Sequence, residues 1–599
     1  MKKTFLFIFL IISSFNYAQD TDVENNPQND YFLAESYFNE GEYEKATQLY
    51  KKLYDKSPFN TTYLKRLVAC YQETGQFLAV ENLLEASLQS NPYQPFLYVI
   101  LGYNFDRQQE REKAEKNYQL ALKSIEDQPH FSGFIGSLFQ EYSLLDYAII
   151  AFEKGMEKSE NANYNFQIAQ IYGEKGNYEK MFQSYVDMID KNENYLITVQ
   201  SYASRYISDD ATNENNILFR KTLLRKSVSN PKAAWNILLS WLFAQQKEYS
   251  KALIQEKALF QRDETELSSI FNLGVIAFNN DDFDAAKQCF DFILSNTKMI
   301  DEKLSANLIL IKIAVKTNNL EADKLFDQIF TTYGKGRQTL AFQIEYADYL
   351  TFSKNEPENA KIVLEEAIGF ASSKFEEARI KLKLGDILVF TGLFNKALIY
   401  FSQIQTQLKN DELGQEARFK VAQTSYFKGD FTWAKAQLKI LKSSTTQLIA
   451  NDAVELYLII TDNEPVDSIP SGLTQFAKAD LLAFQNKNQE AIEILSEIIS
   501  KFKGQPIEDE ALFNQAKLFI KQKEFDNAIT NFEKVIALNP EGILIDDAYY
   551  EMAEVYANHL NNQEKASAYY QKIIFDFGSS IYLVDARKKY RKFRGDDIN

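Results

Sequence analysis

Histidine is nearly missing from this 599-residue chain, which holds only His130 and His559. Far apart in sequence and without zinc-ligand spacing, they exclude a site built on paired imidazoles. His130 opens a helix and His559 closes one, positions that suit surface or capping roles. Cysteine is equally scarce: Cys70 and Cys289 are the two. They fall in different repeats, so buried free thiols are expected rather than a disulfide. Long hydrophobic runs are missing as well. The apolar stretch Phe5 to Ile12 falls far below the roughly 20 residues that cross a bilayer. Basic charge is in deficit, with 66 Lys and Arg against 83 Asp and Glu and a formal net charge of −17. Such acidity disfavours nucleic acid and anionic lipid as partners.

What the chain has in quantity is phenylalanine and tyrosine, 46 and 35 against 3 Trp. They recur on a period. Segments starting at Pro27, Thr61, Pro95 and Pro129 are spaced by 34 residues and share one layout. In the third, Tyr98, Leu101, Gly102 and Phe105 fall on one helical face, and Ala114, Tyr118 and Ala121 on that of a second helix. Each segment predicts an antiparallel helix pair, and the period predicts stacking of pairs. Small residues at Gly102, Gly136, Ala169, Gly274 and Gly385 let the paired helices approach. Aromatics at Tyr118, Phe152, Tyr185, Phe290, Phe401 and Phe532 are expected between neighbouring pairs, with Ala46, Ala114, Ala148, Ala286, Ala397 and Ala528 at the tight crossing. Gly41, Gly75, Gly176, Gly392 and Gly429 end first helices, and Pro58, Pro92 and Pro540 stop second ones.

This arrangement resembles the tetratricopeptide repeat family, whose signature places large, small and aromatic residues at the same positions. Further starts near Ala162, Leu196, Ala233, Leu267, Lys303, Leu340, Ala378, Gln415, Gly472, Asp509 and Asp546 extend the resemblance to about fifteen copies. It implies an all-α, right-handed α-solenoid. The copy at Leu196 is degenerate, keeping Ala203 and Phe219 but carrying Asn215 at the small crossing position. The closing repeats, with Phe575-Asp576-Phe577-Gly578 before a last helix, look like those of bacterial outer-membrane biogenesis proteins, although Gly578 stands where those carry proline.

Lys2-Lys3, the apolar run and Ser13-Ser14-Phe15-Asn16-Tyr17-Ala18 have the three-part layout of a secretory signal peptide. Cleavage after Ala18 removes two lysines and takes the charge from −17 to −19. The expected organisation is a signal peptide over 1–18, a linker over 19–26, an N-terminal array over 27–195, a degenerate repeat over 196–232, a central array over 233–460, an inserted loop over 461–471 and a C-terminal array over 472–595. The 461–471 segment reads as a loop or a hinge. From Lys303 onward the step grows to 37 or 38 residues, and the extra residues are expected to lengthen turns. Residues 208–216 read as an exposed loop.

No chemistry-bearing motif survives inspection. Asp281-Asp282-Phe283-Asp284 sits where carboxylates cap a helix. Gly334-Lys335-Gly336-Arg337 lacks phosphate-loop spacing and reads as an inter-repeat turn. Arg587, Lys588, Lys589, Arg591, Lys592 and Arg594 crowd the last helix, either as a solvated face or as a surface docking on an acidic partner or on the chain's own acids.

The resemblance implies that first helices line a concave groove for a peptide or partner helix. On that face the register places Phe419, Gln423, Tyr426, Phe513, Lys517, Lys521, Tyr550 and Glu554, and nearer the N-terminus Lys65, Phe96, Tyr103 and Phe166. Of the Lys, Asn and Arg with which some family members clamp a C-terminal carboxylate, only Lys65 is matched here. The expected function is a non-catalytic protein-binding scaffold of the bacterial cell envelope, in the periplasm or at the inner face of the outer membrane. It would need no cofactor or metal, bind protein rather than nucleic acid, and associate with outer-membrane proteins. The alternative is a carbohydrate-binding component of an outer-membrane nutrient-uptake system.

Overall fold

The computed structural model describes residues 27–90, 93–263, 267–318, 321–442, 447–465 and 471–595. The expected signal peptide, the linker, Pro92 and positions 466–470 of the expected loop lie outside them. Among the described residues there are thirty-two α-helices and no strand. Each of the fifteen starts read from the sequence falls within four residues of a helix start, so the chain is an all-α solenoid of helix pairs. Two helices stand outside the pairing, Gln447–Asp462 and Leu583–Arg594. The first of these runs two residues into the segment expected to be a loop.

The chain divides into two compact units. One comprises Met1–Ala203 with Lys221–Lys226, the other Ser204–Arg220 with Ser227–Asn599. The division falls inside the degenerate repeat.

In both units the helix pair is set by one steric device. A Cβ on Gly102 would lie 2.4 Å from the Tyr118 ring, one on Gly136 2.5 Å from Phe152, and one on Gly385 2.3 Å from Phe401. The aromatic therefore seats in the notch of its own pair's first helix, rather than only between pairs as the sequence suggested. Phe152, Phe290 and Phe401 are fully enclosed there. Burying each ring contributes about 2 to 3 kcal/mol. The crossing alanines Ala46, Ala114, Ala148, Ala286, Ala397 and Ala528 are buried too.

Gly41, Gly75, Gly176, Gly392 and Gly429 all adopt positive φ at the turn that follows the first helix. In other repeats the same left-handed turn is taken by Gln109, Ser143, Lys247, Asp281, Asn486 and Lys523. The turn is dictated by stacking, so a residue with a Cβ is held there despite its local cost.

The longer step after residue 300 falls largely, but not only, in first helices: Ile300–Lys316, Lys374–Phe390 and Glu412–Lys428 each have 17 residues, against 10 to 13 for the first five first helices, whereas Leu340–Phe352 keeps 13 and the turn over 539–544 is longer than that over 57–60. Three or four extra residues make one helical turn, which preserves the buried face while extending the helix. These first helices are tied to their neighbours by Lys312–Glu345 at 3.6 Å, Lys383–Asp348, and Lys420–Asp386 at 3.0 Å. Helix Leu473–Phe484 then meets earlier first helices, with Gln485 Nε2 donating to the Phe390 carbonyl at 2.7 Å and Asn486 Nδ2 to that of Phe352 at 3.0 Å.

Other expectations resolve locally. Asp282 accepts from the Ala285 N–H at 3.0 Å and caps helix Phe283–Asn296. Gly334, at φ +70, ends one helix ahead of a short 3-10 turn over Arg337–Thr339. Segment 208–216 is not simply exposed. Asn213, Asn215 and Asn216 are buried, and Asn216 Nδ2 donates to the carbonyls of Ser208 at 2.8 Å and Asp210 at 2.7 Å. Cys70 and Cys289 are buried free thiols, pushed up by burial to about 11 and about 12. Within the described residues no helix is long and apolar enough to cross a membrane.

Candidate functional site

Stacking uses two faces of each first helix and leaves a third. In the second unit that third face runs along first helices Glu412–Lys428, Leu473–Phe484, Ile507–Lys521 and Ile545–Asn558, with the unpaired helix Gln447–Asp462 in contact with the first of them. Phe419, Gln423 and Tyr426 share it at helical spacing on the first of these. Phe419 and Gln423 are half-buried, Phe419 resting against the core. Tyr426 is enclosed, and its hydroxyl donates to Asp480 Oδ2 at 2.7 Å. Phe513 is buried with its ring edge-on to Phe532 at 5.4 Å. Lys517 and Lys521, one and two turns further along the same helix, are exposed, and Lys517 lies 5.7 Å from the Phe513 ring.

Tyr550 and Glu554 belong to a different cluster. Tyr550 stacks on Tyr582 at 4.1 Å and donates to Asp585 Oδ2 at 2.6 Å. Lys589 lies 2.6 Å from Glu554 and 2.8 Å from Asp585, and Tyr570 donates to Glu554 as well. Those side chains hold the final helix in place. Two of the six cations on that helix are therefore engaged with the chain's own acids, Lys589 here and Lys588 with Asp209 at 2.7 Å. A wholly solvated last helix is thereby excluded.

The face also carries carboxylates that the sequence reading did not name. Glu510 and Asn514 recur at helical spacing with Lys517, and Asp547 and Glu551 with Glu554, so a charge count by face from Lys517 and Glu554, which it did name, could have found them. Asp480 accepts from Asn514 Nδ2 at 3.1 Å as well as from Tyr426. Burial pushes the Asp480 carboxyl up to about 6, against the opposing pull of these two hydrogen bonds. Glu510 is pushed up to about 8 by burial and then by the charges of Asp509, Glu455 and Asp480. Burial also raises Glu455, Asp547 and Glu551, and for each of them Lys517 is the opposing cation. Glu455 stays exposed to solvent while protein crowds it closely enough to shift its proton.

The first unit presents mainly rings at matching positions, the exception being Glu35, which pairs with Arg66 at 2.8 Å. Tyr103 stacks on Tyr142 at 4.1 Å, Phe96 lies edge-on to Phe134 at 4.7 Å, and Phe166 edge-on to Tyr202 at 4.7 Å. Lys65 pairs with Glu141 two repeats along. The histidines occupy structural places: His130 lies in a 3-10 turn against Phe131, and His559 stacks on Phe525 at 4.6 Å. Among the described residues no cluster of His, Cys, Asp or Glu could hold a metal ion.

Two family models match the chain. Residues 443–573 match the tetratricopeptide repeat protein 21 ARM repeat, and residues 162–189 match the tetratricopeptide repeat. No curated protein matches by sequence. Solved structures similar along nearly the whole chain include one from Naa15/Naa10 bound to HypK-THB, at 11% identity and TM-score 0.30 over 95% of this chain and 97% of that one. One from the APC/C hetero-tetramer Cut9-Hcn1 has 11% identity and TM-score 0.21 over 94% and 96%. Yeast Tom70 has 15% identity and TM-score 0.29 over 94% and 99%. The fold rests on helix order and notch packing rather than on those scores. One matched segment lies in each unit and the glycine–aromatic notch occurs in both, so the chain is an all-α solenoid of helix pairs similar in these segments to the tetratricopeptide repeat.

Proposed function

We propose that this chain is a non-catalytic scaffold that holds a protein partner along the first-helix face of its second unit. The supporting observation is that Gln423, Lys517 and Lys521 are presented on helices whose other faces are consumed by packing, beside carboxyls that the fold keeps partly desolvated. Polar groups of this kind on rigid helices orient a partner, and half-buried Phe419 adds apolar contact. Tyr426 and Phe513 support the face from beneath, and Tyr550 and Glu554 hold the last helix. Full-length protein carrying Gln423→Ala, Lys517→Ala and Lys521→Ala tests the reading. Proteins that co-purify with the wild type should fall at least tenfold with the variant while helicity is unchanged. Undiminished recovery of every partner would refute it.

The scaffold acts after export, in the periplasm or at the inner face of the outer membrane, in the company of outer-membrane proteins. This reading rests on the layout of residues 1–18 and on the acidity of the chain. N-terminal sequencing of protein from fractionated cells should begin after Ala18. Full-length protein confined to the cytoplasm would contradict export.

A further inference from the structure

Two segments far apart in sequence meet within the second unit. The loop at Ser208–Ala211 is fixed by Asn216, as described above, and by the Thr212 N–H, which donates to Asp210 Oδ1 at 2.8 Å. Helix Leu583–Arg594 reaches this loop through Lys588 and Asp209 at 2.7 Å. Gln246 and Lys247, at the end of helix Ala233–Gln245, complete the walls of a cavity of about 330 Å³.

Gln246 is only 5% exposed, and neither its Oε1 nor its Nε2 has a hydrogen-bond partner. A buried amide unmatched at both ends is costly and uncommon in a folded protein. The charges around it do not balance either. Lys588 is paired with Asp209, and Lys589 with Asp585 at 2.8 Å. Lys247 and Lys592 also line the cavity and take part in no ion pair among the described residues, and Asp210 is the remaining acid. The walls carry one positive charge in excess.

We propose that this cavity binds a small oxyanion that also carries a hydroxyl group, the chemistry of hydrogen phosphate and of hydroxy acids. The anionic oxygens accept from Gln246 Nε2 and from the ammonium groups of Lys247 and Lys592. The hydroxyl donates to Gln246 Oε1, which a plain carboxylate would leave unmatched. Gln246 and Lys247 come from near the start of the unit and Lys592 from its end, so a ligand touching both stabilises their contact by mass action.

The test is titration of the full-length protein with inorganic phosphate, glycolate and acetate at constant ionic strength. Heat of binding and hydrogen exchange of helix Leu583–Arg594 are the two readouts. Phosphate or glycolate should bind saturably and slow that exchange, with acetate at least tenfold weaker. Saturation by phosphate alone assigns the site to phosphate compounds, and by glycolate alone to hydroxy acids. Gln246→Leu should abolish saturable binding. Lys592→Gln, an exposed position whose change spares the core, should weaken it at least tenfold. The proposal is overturned by no saturable binding of either hydroxylated anion, by acetate binding as tightly, or by wild-type affinity in both variants.

Discussion

The two units use one packing device and present different chemistry. In the first, Gly102 receives Tyr118 and Gly136 receives Phe152, and in the second, Gly385 receives Phe401. On the free face the first unit stacks ring on ring, as in Tyr103 and Tyr142, whereas the second gathers Glu455, Asp480, Glu510, Asp547 and Glu551 around Lys517. Residues that contact the next repeat must recur, because every copy faces the same neighbour. Residues on the free face meet no such demand. Divergence between the units therefore marks where stacking stops dictating sequence.

The largest effects should be common to both units. Gly102→Ala and Gly385→Ala each drive a methyl group into a ring, and each should cost about 3 kcal/mol. Urea unfolding followed by exchange in the flanking helices measures this. Adding Phe401→Leu to Gly385→Ala should recover part of the loss, and a harmless Gly102→Ala would break the equivalence of the notches.

A smaller effect should belong to the second unit. Glu510 has an ordinary value of 4.5 and is pushed up to about 8 by burial and neighbouring carboxylates. Across that window the folded state keeps a proton that the unfolded state releases. Stability is fully present below about 4.5 and is lost as pH rises through about 8. After solvent screening, moving from pH 5 to pH 8 should weaken helices Leu473–Phe484 and Ile507–Lys521 by on the order of 2 kcal/mol. Denaturation at each pH, with exchange labelling at one fixed pH, isolates the change. Glu510→Gln should flatten the profile, and an unaltered profile would remove Glu510 as its source.

Ion pairs sharpen the contrast further. Lys589→Met leaves Glu554 and Asp585 without their shared cation and should cost about 1.5 kcal/mol. Lys65→Met removes one pair, with a half-exposed Glu141, rather than a cation shared by two carboxylates, and should cost about 0.5 kcal/mol. Equal losses in thermal unfolding would contradict the extra weight given to the shared cation.

The smallest effect concerns the turns. Gln109→Gly in the first unit and Lys523→Gly in the second relieve residues held at φ +64 and +63. Each should gain about 0.5 kcal/mol, the relief of left-handed strain being partly offset by a freer unfolded chain. A loss of stability in either would show that its side chain contributes more than its backbone suffers.

Much of this was legible in the sequence, because nearest-neighbour stacking writes itself as a period. The starts, the notch glycines and the left-handed glycines could all be read from spacing. Lys247 and Lys523 hid the same turn, since nothing local favours lysine there and only the stack imposes it. The step of 37 or 38 reads as longer turns, whereas much of it goes into first helices, because adding one helical turn keeps the hydrophobic phase unchanged. Register located the face of Tyr426 and Phe513 but not their depth, which depends on how closely Asp480 and Phe532 approach. The engagement of Lys588 with Asp209 was beyond reach, since nothing periodic joins positions so distant.

The central claim is that the free face of the second unit, and not that of the first, meets the partner. Photo-crosslinking residues placed singly at Lys517 and at Tyr103 of the full-length protein test it directly in cells. The account predicts protein adducts from position 517 and few or none from position 103. Equal yields from the two, or adducts from position 103 alone, would contradict it.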